Sequence, residues 1–221
     1  MKVIRLVAAS ALALAFAASG ASAAELEEAR LYVEQNVTDH DAEIVVIAQG
    51  GDEGLRSLEL FGPNGRSFGS LLAGRKRQLG FREVLLETPE PSVGRVLRAW
   101  PQGTYRFVGT TFSGEVLTGE AELGHEMPAA VAQIAPDGDE GLDPDHVVVS
   151  WDEVPGVAGY LLEIEQDDLG VSLELTLPPG TTSFVVPAGF LEPGIEYELG
   201  VATVGDTGNI SFRETAFTTA P

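Results

Sequence analysis

Apolar and polar residues alternate at period two along most of this chain, which predicts strands rather than helices. Glu43-Ile44-Val45-Val46-Ile47-Ala48 is a continuous apolar, β-branched run, the mark of a buried strand. Before it, Leu31-Tyr32-Val33-Glu34 fits a strand starting near Ala29, although Glu25 to Arg30 also has helical propensity. Leu55 to Leu60 resumes after a glycine-rich break at 50–54, and Pro63-Asn64-Gly65 makes a hairpin-type turn into Arg66-Ser67-Phe68. Phe81 to Glu87 reads as a further strand, ended by Thr88-Pro89-Glu90-Pro91 because proline donates nothing to a ladder. One segment breaks the pattern. Val93, Val96, Leu97 and Trp100 fall at i, i+3, i+4 and i+7, predicting a short helix over 92–100, capped by Ser92 and stopped by Pro101, with Trp100 as a core anchor. Thr104 to Thr110, with Tyr105 and Phe107 on one face, and Glu115 to Leu123 complete a β-sandwich-like domain with a short helix over residues 25–128.

Met127-Pro128-Ala129-Ala130 reads as a joint, and a second domain is expected over 129–221. Its strands are a short one near Val131 to Ala135, then Val147 to Trp151, Tyr160 to Glu165, Val171 to Leu177, Thr182 to Val186, Tyr197 to Val201 and Ile210 to Thr218. Inside this set, Leu191-Glu192-Pro193-Gly194-Ile195-Glu196-Tyr197 places a leucine, a Pro-Gly turn and a tyrosine ahead of a strand. Such a tyrosine can reach back to the turn, as in the tyrosine corner of immunoglobulin-like sandwiches. Together with Trp151 and Tyr160, it makes residues 131–219 resemble a fibronectin type III domain. The resemblance implies two facing sheets with Trp151, Tyr160 and Tyr197 sealed between them. The first half resembles an uncharacterised group of exported bacterial proteins. The likeness rests on Glu34-Gln35-Asn36-Val37-Thr38-Asp39-His40-Asp41, on Pro101 to Gly109, and on Leu123-Gly124-His125-Glu126-Met127-Pro128. That likeness brings no activity. The expected fold is mainly β: two immunoglobulin-like β-sandwich domains in tandem.

Lys2 and Arg5 precede an apolar run from Leu6 to Ala18, and Ala21-Ser22-Ala23 follows. Residues 1–24 therefore read as a signal peptide cleaved near Ala23, placing the mature chain in the periplasm or outside the cell. No second apolar run is long enough for a membrane span. The chain has no cysteine, so its cores must hold by burial alone. The formal net charge is −21. It is concentrated at the end of the chain, where residues 131–221 carry seventeen acids against Arg213 alone. Such a surface repels nucleic acid and anionic lipid. The basic cluster Arg75-Lys76-Arg77 reads as a solvated loop tip.

Calcium is the best metal candidate, because Asn36, Thr38, Asp39, Asp41 and Glu43 put several oxygens on one loop. The competing reading is an Asx-rich turn bonding its own backbone. The acidic stretch Asp137 to Asp145 fails as an EF-hand, with Leu142 at the glycine place and Val148 at the glutamate place, and reads as a mobile loop. His40, His125 and His146 lack zinc-motif spacing, and no nucleophile elbow, dinucleotide fingerprint or phosphate loop is present. Gly205-Asp206-Thr207-Gly208-Asn209 lacks the arginine of the adhesive tip that the resemblance would supply. The expectation is a non-catalytic exported interaction or surface-associated protein with a protein or glycan partner, no cofactor beyond calcium, and no nucleic acid. The alternatives are a carbohydrate-binding or enzyme-accessory module, and a hydrolase with a site around Asp39, His40 and Asp41.

Overall fold

The computed structural model describes residues 23–74 and 80–221. All but the end of the expected leader, and the whole of Arg75-Lys76-Arg77, lie outside the described residues. In the first half, β1 (Ala24–Glu25), β2 (Glu28–Asn36), β3 (Asp41–Gln49), β4 (Ser57–Phe61), β5 (Ser67–Leu72) and β6 (Glu83–Glu87) precede one helix, α1 (Val93–Ala99). Then come β7 (Gly103–Thr110) and β8 (Val116–Leu123). One sheet runs β1-β8-β7-β4-β5, and β2, β3 and β6 lie side by side in another. The alternation seen in the sequence explains why they face each other. Leu31, Val33, Ile44, Val46, Tyr105, Phe107 and Leu123 all point between the sheets and form one buried cluster.

The helix forms where its apolar spacing placed it, but not through its cap. Ser92 occupies the N-cap position without a side-chain capping bond, and its backbone instead bridges Asp41. Seven residues are too few to hold a helix by themselves. Burial of Val96 holds it, with Leu97 and Trp100 packed against the same core. The Trp100 ring lies 4.7 Å from Phe68 and 5.8 Å from Tyr105, the anchor role its spacing implied.

The second half adds β9 (Ile134–Ala135), β10 (Val148–Trp151), β11 (Gly159–Gln166), β12 (Val171–Leu177), β13 (Ser183–Val185), β14 (Glu196–Val204) and β15 (Ile210–Thr218). Three of these strands run β13-β10-β9, and four run β12-β11-β14-β15. This is the seven-strand, fibronectin type III-like sandwich that the resemblance implied. Trp151, Tyr160 and Tyr197 are buried in one cluster with Val149, Leu162, Ile164, Leu199 and Phe217. The Nε1–H of Trp151 is the one buried side-chain polar atom without a partner among the described residues.

Both halves turn the same corner. Tyr197 Oη accepts from the Glu192 N–H at 2.8 Å, and Tyr105 Oη donates to the Pro101 carbonyl at 2.9 Å. In each, a proline stands four residues before the tyrosine, Pro193 and Pro101, so the chain reverses just where the ring hydroxyl can tie it back. Burial raises the Tyr105 phenol to about 12, so it stays a neutral donor.

The two halves also share a sheet. β15 pairs in parallel with β2, matching Ile210, Ser211 and Phe212 to Glu34, Gln35 and Asn36. One seven-stranded sheet, β12-β11-β14-β15-β2-β3-β6, therefore runs through both. Parity fixes its faces, because paired residues on neighbouring strands share a side. Val33 and Leu199 point to one face, where both cores lie. Tyr32, Glu34, Ile210 and Phe212 point to the other, which no second sheet among the described residues covers.

Tyr197→Phe keeps the stacked contact with Phe217 but leaves the Glu192 N–H without its acceptor. It is expected to cost about 1–3 kcal/mol, read as a lower urea midpoint at unchanged slope.

Candidate functional site: the joint and the uncovered face

The segment joining the halves is held by side chains from the core-side face of β14 and β15. Asn209, 1 % exposed, lies at its centre. Its Oδ1 accepts from the Val33 N–H at 2.9 Å, and its Nδ2 donates to the carbonyls of Gly124 at 3.1 Å and Glu126 at 2.9 Å. One amide thus binds the first half, the second half and the connection between them. Ser211 Oγ donates to the Pro128 carbonyl at 2.7 Å and accepts from Gln35 Nε2 at 2.8 Å. Thr203 Oγ1 donates to Ala129 and Arg213 Nε to Val131, at 2.9 and 2.7 Å. Every one of these carbonyls belongs to the connection, so burying it leaves few polar groups unpaired. The loop Gly205 to Asn209, a receptor tip in adhesive fibronectin domains, is here part of the joint.

Sequence reasoning missed this set. A signal was present: Thr203, Ser211 and Arg213 continue the inward parity of Tyr197, Leu199 and Val201, and polar residues at inward positions call for partners.

The loop proposed for calcium lies at the rim of the same joint. Asn36 Oδ1 accepts from the backbone N–H of Thr38 at 2.9 Å and of Asp39 at 3.3 Å, an Asx turn. Asn36 Nδ2 donates to Glu214 Oε2 at 2.6 Å and to Asp39 Oδ2 at 3.4 Å. Thr38 Oγ1 accepts from the Glu214 N–H at 2.9 Å, so the loop extends β15. Asp41 and Glu43 lie on β3 beside it. Among the described residues, no group of three or more histidine, cysteine, aspartate or glutamate side chains is placed to hold a metal. His40 takes a left-handed conformation, φ 65°, where the loop reverses.

The three histidines stand apart. His125 Nε2 donates to the Trp100 carbonyl at 2.7 Å, and His146 Nδ1 lies 2.8 Å from Asp143 Oδ2. The Asp145 N–H and then His146 hold the Asp143 carboxyl below its usual value. The acidic stretch around it is no free loop. Gly138 N–H donates to Ala216, Leu142 N–H to Thr218, and Thr215 Oγ1 to Asp137 Oδ1, which stitches the stretch along β15.

Two hollows flank the joint and the first sandwich. A basin of about 150 Å³ is lined by Glu34, Asn36, Asp39, Asp41, Glu43, Glu90 and Glu214; His40 is not part of it. An apolar cleft of about 280 Å³ opens between β5 and β6, lined among others by Phe68, Leu71, Leu86 and Trp100. Around the basin, burial first and neighbouring carboxylates second push the Glu34 carboxyl up to about 8 and Glu43 to about 7. Glu163 on β11 is raised to about 7 by burial and then by Glu165, Glu174 and Glu214.

No family model matches the chain, and no curated protein matches it. Among solved structures, the chain is similar to a Fn3-like protein from Clostridium thermocellum, at 17% identity over 43% of this chain and 97% of that one, TM-score 0.33. It is similar to the fibronectin(III)-like modules of Clostridium thermocellum CbhA, at 9% identity over 91% and 92%, TM-score 0.34. It is also similar to a two-domain fibronectin type III segment of chicken tenascin, at 12% identity over 88% and 97%, TM-score 0.34. The fold of the second half rests on its own strand order and tyrosine corner.

Asn209→Ala removes three hydrogen bonds at once and leaves a buried N–H and two carbonyls bare. It is expected to destabilise by about 3 kcal/mol in urea unfolding and to speed hydrogen exchange at the Val33 amide. Thr38→Val, at the exposed rim, is expected to cost less than about 1.5 kcal/mol.

Proposed function

We propose that the mature chain is a non-catalytic interaction or surface-associated module of an exported protein, a stiff platform of two sandwiches on one sheet. The observation that supports this best is the joint. Asn209, Ser211, Thr203 and Arg213 fix the angle between the halves with buried hydrogen bonds, where a flexible linker is the ordinary solution. Fixed spacing suits a part that presents or separates surfaces. Residues 1–24, read as a leader, would deliver it to the periplasm or the exterior. No helix among the described residues is long and apolar enough to cross a membrane.

A protein partner fits better than a glycan. Sugar platforms are rows of exposed aromatic rings, whereas Phe81 is the one aromatic among the large exposed apolar side chains described, and Trp100 is packed against Phe68 and Tyr105. The hydrolase alternative draws little from the geometry, since Asp39 and Asp41 enter the basin without His40.

Immobilised mature protein, exposed to an envelope extract of its source at low and at 0.5 M-order salt, is expected to retain a specific protein. A glycan array is expected to stay blank. Retention of nothing, together with turnover in a panel of glycoside, ester and peptide substrates, would overturn the reading. Cell fractionation with sequencing of the mature N-terminus checks the export step, with a start at or next to Ala24 expected.

A further inference from the structure

We propose that the uncovered face of the seven-stranded sheet is a proton-operated clasp, in which carboxyl groups of both halves grip the joint when neutral and strain it when ionised. The register carries this. Glu34 stands directly opposite Glu43, Glu163 opposite Glu174, and Glu165 opposite Glu198. Like charges directly opposite each other destabilise a sheet, and here three such pairs share one face. Glu163 and Glu214 flank Gly200 in the same row, one from each neighbouring strand. Gly200 has no side chain to part them, and Phe212 packs so closely over it that a Cβ would lie 3.3 Å from the ring.

At the seam these carboxyls surround a small apolar patch. Ile210 and Phe212 of β15 pack there with Tyr32 of β2 and Leu161 of β11. The patch is what glues this face of the β2–β15 pairing, which spans only three residues of each strand. Half-buried beside it, Glu34 receives no hydrogen bond or ion pair among the described residues.

Among the described residues, the charged and titratable groups turned toward Glu34 are acids from every side. They are Glu43 of β3, Glu87 of β6 with Glu90 beyond it, Glu163 of β11, and Glu214 of β15 next to Asp39 and Asp41. Arg30, a cation on this face, lies over the Tyr32 ring and pairs with Glu28. Arg213 points to the opposite face, into the joint. Burial raises the Tyr32 phenol to about 12, so it carries no charge across the range considered.

The sign follows from linkage. A carboxyl raised on folding binds its proton more tightly in the folded chain, so its stabilisation is intact below the ordinary value of 4.5. That stabilisation is lost as pH rises through about 7 for Glu43 and Glu163 and about 8 for Glu34. The joint is therefore tightest in mild acid and loosens across neutrality.

The test is urea unfolding of the full mature chain from pH 5.5 to 8.5, combined with amide exchange corrected for its intrinsic pH dependence. The unfolding constant is expected to rise at least about tenfold over that range, and exchange to accelerate at Val33–Asn36 and Ile210–Phe212 before the two cores. Glu34→Gln is expected to remove the largest single share of the slope and to leave the chain more stable than the parent at pH 8.5. Glu163→Gln, on the other half, should do the same in part. An unchanged slope in both variants, or a slope whose exchange signature lies away from the seam, overturns the proposal. The partner reading rests on the joint and not on its response to pH, so failure here leaves it standing, and loss of the partner leaves the clasp standing.

Discussion

The pairing of β15 with β2 is the constraint on which the rest of the structure depends. Each sandwich alone would end in an exposed edge strand, with a row of free N–H and C=O groups inviting aggregation. By laying β15 against β2, the chain pairs three residues of each edge with the other and turns two sheets into one. Thr38 prolongs the effect past the end of β2, where its hydroxyl accepts from the Glu214 N–H that the ladder would otherwise leave bare. A chain without cysteine has no disulfide to lock two domains together, and a shared sheet with a polar strap achieves the same end by burial and hydrogen bonding.

Local physics was legible in the residues, and distant pairing was not. Period-two runs located the strands, because burying one face of a sheet forces that alternation wherever the chain folds. Val96 and Trp100 revealed the short helix for the same reason at another period. Tyr197 announced its corner through Pro193 and Gly194, and Pro101 announced the matching corner at Tyr105, which went unread because the helix before it drew the eye to Trp100. The seam had no such signature. Asn209 meets Val33 across 176 positions, and three residues of parallel pairing leave no periodicity to detect. Asn209 itself looked like a turn residue after Gly208. The turn at Asn36 had no such signature either. The donor atoms were present at apt spacing, but spacing does not reveal that Asn36 Oδ1 is spent on the backbone amides of Thr38 and Asp39.

Charge was read correctly in amount and wrongly in arrangement. Seventeen acids against one arginine after residue 130 predict an acidic surface, which a solvated scatter would satisfy. The register instead sets glutamates face to face. Such pairs destabilise the sheet, and the opposite face of the same strands seals Val33, Ile44, Leu162 and Leu199 completely. Large burial on one side leaves the other side free to carry repulsion.

The two faces of the joint thereby take different parts. Across the core-side face, the straps run from amide, hydroxyl and guanidinium donors to backbone carbonyls. They set the angle between the halves. The proposed response to protons arises on the uncovered face, where the carboxyls of Glu34, Glu43 and Glu163 lie and where burial has drawn their ionisation toward neutrality. A platform built this way keeps its shape while its grip varies, because what fixes the geometry and what senses the solution lie on opposite sides of one strand pair.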